Sequence, residues 1–116
     1  MSGFLSELKV KKVGHEDFEL IDDFIYQEND DKFIIVPKGF RTDGASIPRQ
    51  FWSIVGNPFE EYFESAVVHD YLYRKKIGTK SHADKVFLQA MKDQGVNPIK
   101  RRIMYWAVKY FGKGSW

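Results

Sequence analysis

Phe24-Ile25-Tyr26-Gln27-Glu28-Asn29-Asp30-Asp31-Lys32-Phe33-Ile34-Ile35-Val36-Pro37 sets the architecture of the first part of the chain. Two runs rich in aromatic and β-branched residues flank a polar cluster whose Asn and Asp side chains suit a turn, and a proline stops the second run. The pattern predicts a β-hairpin. Upstream, Leu8, Val10 and Val13 stand among lysines in near alternation, as in a half-exposed strand, and Phe18-Glu19-Leu20-Ile21 leads into the hairpin.

Downstream of Pro37 the pattern changes. Lys38 to Arg49 reads as an ordered loop in which Ser46 caps a short helix begun by Pro48 and carrying Phe51, Trp52, Ile54 and Val55. Asn57-Pro58, with Glu60 and Glu61 in the first turn, predicts a helix running to Arg74 or Lys75, ahead of Gly78. Ser81 and Asp84 make a weak capping box, after which Ala83, Val86, Phe87, Ala90 and Met91 recur at helical spacing until Gly95. Asn97-Pro98 opens a last helix, lined on one side by Ile99, Ile103, Trp106, Ala107 and Tyr110 and ended by Gly112. The expectation is an α+β fold: an N-terminal antiparallel β-hairpin or small sheet followed by three to four α-helices. The central two helices should be antiparallel, because only about six residues connect them. One domain covers residues 1–116, β-rich over 1–37, a loop over 38–49 and helical over 50–112.

Composition narrows the function classes. With 43% hydrophobic residues, among them 10 Phe, 6 Tyr and 3 Trp, the chain can bury a core. It has no cysteine, which excludes disulfide scaffolds, thiolate zinc sites and cysteine nucleophiles. A net charge of +2 names no partner. The cluster of Lys100, Arg101, Arg102, Lys109 and Lys113 reads either as a solvated helix face or as a surface for phosphate, lipid headgroups or acidic protein. No nucleic-acid partner, transmembrane segment or signal peptide is predicted, and no phosphate-binding glycine loop is present.

The chemistry-bearing residues centre on Ala66-Val67-Val68-His69-Asp70-Tyr71-Leu72-Tyr73. Helix periodicity puts His69 and Tyr73 on one face, with Asp70 about 100° round. Asp84, one turn into the returning helix, then lies across from His69, where a carboxylate fixes the imidazole tautomer and stabilises its protonated form. Asp70 reads either as a partner for Arg74 four residues on or as a cation ligand. In the loop Arg41-Thr42-Asp43-Gly44-Ala45-Ser46, Asp43 is a candidate cation ligand or an Asx-turn residue, and Ser46 a candidate nucleophile or a helix cap. His82 reads as a surface histidine and His15 as an idle turn residue.

Two resemblances sit on these residues. Gly39-Phe40-Arg41-Thr42-Asp43-Gly44-Ala45-Ser46-Ile47-Pro48-Arg49, Trp52, the His69 segment and Ala83-Asp84-Lys85-Val86-Phe87 resemble a family of small bacteriophage and prophage proteins of unknown function. That resemblance covers roughly residues 35 to 111 and implies a phage-encoded protein. His-Asp-x-x-Tyr on one helix, with Asp and a downstream Phe on the next, is similar to the active-site helices of secreted and parvoviral phospholipase A₂. It implies that His69 activates water, Asp84 orients His69, Tyr73 hydrogen-bonds Asp84, and Asp70 ligates calcium, which polarises the ester carbonyl.

Two functional expectations follow. One is a calcium-dependent (phospho)lipid or ester hydrolase, with His69, Asp84 and Tyr73 catalytic, Asp70 and Asp43 at the metal, and membrane lipid as substrate. It requires His69 and Asp84 to meet in a cleft open to solvent. The other is a non-enzymatic phage virion component, in a tail or tail tip, in which the motif is a core element and the partners are other virion proteins. The place of action is the virion or the cytoplasm of the bacterial host.

Overall fold

A computed structural model describes residues 2–14, 17–42 and 62–111. Six strands come first: β1 (Gly3–Phe4), β2 (Val10–Lys12), β3 (Phe18–Leu20), β4 (Phe24–Asn29), β5 (Lys32–Val36) and β6 (Arg41–Thr42). Three helices follow among the described residues: α1 (Phe63–Lys75), α2 (Lys80–Gln94) and α3 (Pro98–Phe111). The α+β order expected from the sequence is the order observed.

The hairpin is β4–β5, turning through Asp30 and Asp31, where Asn29 Oδ1 accepts the Asp31 amide at 2.9 Å. Its strands pair antiparallel, Phe24 with Val36 and Tyr26 with Ile34, and β1 adds to its other edge. A second three-stranded antiparallel sheet has the order β2-β3-β6. Alternation gives the hairpin two faces. Phe24, Tyr26, Ile34 and Val36 are buried, while Phe33 and Ile35 stay exposed.

The inward face of the hairpin packs with Phe63, Val67, Val68 and Leu72 of α1 and Ala83, Val86 and Ala90 of α2. Behind α1, a second cluster of Tyr62, Ala66, Phe87, Met91, Met104 and Val108 joins α1 and α2 to α3. The hydrogen bonds between α1 and α2 run Ser65 to Gln94 and His69 to Asp84, so the two helices are antiparallel.

The helix ends show how local chemistry sets the boundaries. Tyr62 (φ −135°, ψ 28°) lies outside the helical basin, so α1 begins at Phe63; the expected start at Pro58 lies outside the described residues. Asn57, Glu60 and Glu61 of the expected first turn lie outside the described residues. The Tyr62 side chain makes no cap bond, and the Ser65 amide in the first turn of α1 bonds Gln94 Oε1. It closes at Lys76, a left-handed residue (φ 52°) whose amide returns to Tyr73, with Ile77 returning to Leu72. The cap of α2 is Thr79, not Ser81: extended backbone at Thr79 aims its hydroxyl at the His82 amide, 3.1 Å away. Gly95 (φ 86°) ends α2, and Asn97 caps α3 through Ile99 at 2.9 Å.

On α3, Ile99, Ile103, Trp106 and Tyr110 share one side as expected, but that side faces outward and Ala107 belongs to the buried side. Met104, Ala107 and Val108 face the core, Ile103 is half-buried, and Ile99, Trp106 and Tyr110 are exposed. The short helix after Ser46, Gly112 and the aromatics Trp52 and Trp116 lie outside the described residues. No described helix is long and apolar enough to cross a membrane.

Neighbouring isoleucines of β5 should differ sharply in stability. Ile34 is 8% exposed and Ile35 51%. Urea denaturation should show Ile34→Ala costing about 2–4 kcal/mol and Ile35→Ala under ~1 kcal/mol. Equal costs would contradict the assigned register.

Candidate active site

α1 is the central helix, and its polar residues are met by different neighbours. Ser65, His69 and Asp70 are all buried. Ser65 Oγ donates to Gln94 at the end of α2. His69 Nε2 lies 2.8 Å from Asp84 Oδ1 on α2. Asp70 accepts the Thr42 hydroxyl of β6 at 2.7 Å and the Arg74 Nε–H at 3.0 Å.

The His69–Asp84 couple is therefore present at the spacing the antiparallel helices dictate. The open cleft is not: the His69 ring is 0% exposed, under Phe87 (centroids 4.8 Å apart) and Tyr73 (5.3 Å). Burial pushes the imidazole below its ordinary value of 6.5 and outweighs the opposing pull of Asp84, so His69 is neutral. Burial opposes ionisation of Asp84 as well. There the hydrogen bonds from His69 and Lys80 win and hold the carboxyl below its usual range. A neutral ring beside a carboxylate must donate through Nε2–H, which leaves the lone pair on Nδ1 facing outward from the couple. Nδ1 is buried and has no hydrogen-bond partner among the described residues.

Lys80 is the functional neighbour that sequence reasoning missed. Its Nζ donates to Asp84 Oδ2 at 2.8 Å and to the Val108 and Lys109 carbonyls at 2.9 and 3.2 Å. The spacing of four between Lys80 and Asp84 was a legible signal; the carbonyls of α3 were not. A cavity of about 190 Å³, lined by Lys80, Ser81, Asp84, Tyr105 and Lys109, borders this carboxylate. Thr42 was also missed as a partner of Asp70, because nothing in the sequence pairs β6 with α1.

Tyr73 lies against His69, with its hydroxyl raised by burial and by the charge on Asp84. His82 Nε2 meets Glu28 Oε2 at 2.7 Å, tying α2 to β4. Asp43, Ser46 and His15 lie outside the described residues. Both Asp70 oxygens already accept hydrogen bonds, one from a guanidinium, and no group of three or more His, Asp or Glu among the described residues is arranged for a metal. Thr42 and Arg74 thus engage both oxygens of Asp70, and Asp43, the other expected cation ligand, lies outside the described residues.

An α+β domain with a buried His–Asp pair on antiparallel helices is the class this geometry defines. Residues 18–108 match the family model described as protein of unknown function (DUF1353), and the chain belongs to that family. It is 43% identical over 96 residues to the uncharacterized protein y4jT of Sinorhizobium fredii (strain NBRC 101917 / NGR234), covering 82% of this chain and 29% of that protein. It is 36% identical over 76 residues to the uncharacterized protein y4iH of the same strain, covering 65% of this chain and 32% of that protein. The chain thus spans about a third of the length of these relatives. No solved structure matches it.

A buried neutral histidine gives stability a pH dependence of known sign. The unfolded ring binds a proton near 6.5 and the folded ring only at lower pH. Its contribution is thus present above 6.5 and is lost as pH falls from there toward the folded value. Urea denaturation at pH 7.5 and 5.5 should show the wild type losing more stability than His69→Asn, which lacks this proton site. Nitrogen chemical shifts of the ring should independently report the neutral Nε2–H tautomer at pH 7.

Proposed function

We propose that this protein is a phage-encoded hydrolase of (phospho)lipid or other esters in which His69 is the general base. The observation that supports this reading is the Nδ1 left without a partner among the described residues, on a ring fixed from its other side by Asp84. Buried polar atoms are nearly always paired, and leaving one unpaired costs about 1–3 kcal/mol, so an orphan at the end of an oriented imidazole invites a functional explanation. Nδ1 takes a proton from an attacking water, Asp84 stabilises the resulting imidazolium, and the proton passes to the leaving alkoxide. Lys80 keeps Asp84 ionised and in place. Tyr73 and Phe87 shape the apolar walls.

This reading expects a cleft open to solvent and the ring has no exposed surface, so hydrolysis requires that the side chains over Nδ1 be displaced on substrate binding, and a ring that stays sealed overturns it. No step is routed through calcium, since Arg74 occupies the Asp70 carboxylate.

The same burial favours a second reading. In it the His–Asp pair is a core strut, and the protein is a non-enzymatic virion component working through its surface.

Fatty-acid release from phosphatidylglycerol vesicles, followed by mass spectrometry with added calcium and with chelator, separates the two. Hydrolysis predicts release by the wild type and at least about a hundredfold less by a folded His69→Asn variant. Absence of release above a protein-free blank under both conditions, or equal release by the variant, overturns the enzyme reading and leaves the structural one.

A further inference from the structure

The exposed side of α3 carries more apolar surface than the core requires of it. Ile99 is 73% exposed, Trp106 65% and Tyr110 62%, with Ile103 half-buried between them. At 100° per residue these four fall within about 60° of one another, a single stripe running about 16 Å along the helix. Trp106 and Tyr110 pack edge to face with centroids 5.7 Å apart, so the two rings present one joined apolar surface. The core side of α3 is filled by Met104, Ala107 and Val108, so the stripe is additional to the side that folding uses.

Charge selects what covers it. Arg102 and Lys109 are exposed along one flank of the stripe, and α3 contains no acidic residue. Two copies meeting stripe to stripe would bring these cations together, which opposes self-association. An aromatic stripe flanked by cations on a convex, uninterrupted helix is the form that lies in the headgroup layer of a bilayer. The rings sit at the acyl boundary, and the long basic side chains reach back to lipid phosphates.

We infer that the Ile99–Tyr110 face of α3 is a docking surface for anionic lipid bilayers. The juxtaposition of Trp106 and Tyr110 with Arg102 and Lys109 on one exposed, acid-free helix carries the inference. It does not depend on hydrolysis, and a folded His69→Asn variant should dock as the wild type does.

Flotation of the full chain with vesicles tests it, comparing pure phosphatidylcholine with phosphatidylcholine containing phosphatidylglycerol. Binding should be at least tenfold stronger to the anionic vesicles and should collapse at high salt. Trp106→Ser/Tyr110→Ser and Arg102→Glu/Lys109→Glu should each reduce it at least tenfold. Both pairs alter exposed positions, and circular dichroism should show an unchanged fold. The inference is overturned if the wild type fails to float with anionic vesicles, floats equally with neutral ones, or floats undiminished after either double substitution. It is likewise overturned if light scattering shows a dimer that Trp106→Ser/Tyr110→Ser dissolves, since a second copy then owns the face.

Discussion

A helix enclosed by other elements cannot carry polar side chains unless each finds a partner, and α1 carries Ser65, His69 and Asp70 inside the protein. That constraint organises the fold. Ser65 and His69 lock α1 to α2 at two points about a turn apart, and Asp70 locks it to β6. Hydrophobic burial supplies the drive to pack these elements, but it is tolerant of sliding. The polar clips are not, because a shift of one turn would strand a buried carboxylate. The site is thus the place where register is specified.

The hairpin was legible because strand alternation and turn chemistry are both local: Phe24, Tyr26, Ile34 and Val36 fall on one face by counting in twos. The His69–Asp84 meeting was legible because a short connection between helices fixes which residues face each other. Other features depend on partners remote in the chain. Thr79 and Ser81 are both plausible caps, and the extended backbone at Thr79 decides between them. In α3 apolar residues occupy nearly two faces, so periodicity alone could not tell the side sought by the core from the side left outside. The enclosure of His69 was illegible for a related reason: Tyr73 and Phe87 are core-type residues in either an open or a closed site.

Family membership sharpens what these features mean. The match over residues 18–108 takes in β3 through most of α3, so the clips of α1 and the His–Asp couple fall inside the shared region, while Tyr110 of the stripe and the flanking Lys109 lie just beyond it. The Sinorhizobium relatives are about three times as long as the region they share with this chain, so the same unit serves within larger proteins. A module used that way benefits from fixing its own register internally, as the clips of α1 do.

Lys80 has a consequence of a different kind. An ammonium has three protons, and here they go to Asp84 and to the Val108 and Lys109 carbonyls. One side chain thus fastens the last turn of α3 to the carboxylate behind His69. Unwinding that turn would return two protons to water and alter the field felt by Asp84, while protonating Asp84 would loosen the grip on the end of α3. The rim of the molecule and its most enclosed imidazole are in this sense mechanically continuous, joined by a single cation about one residue's reach from each.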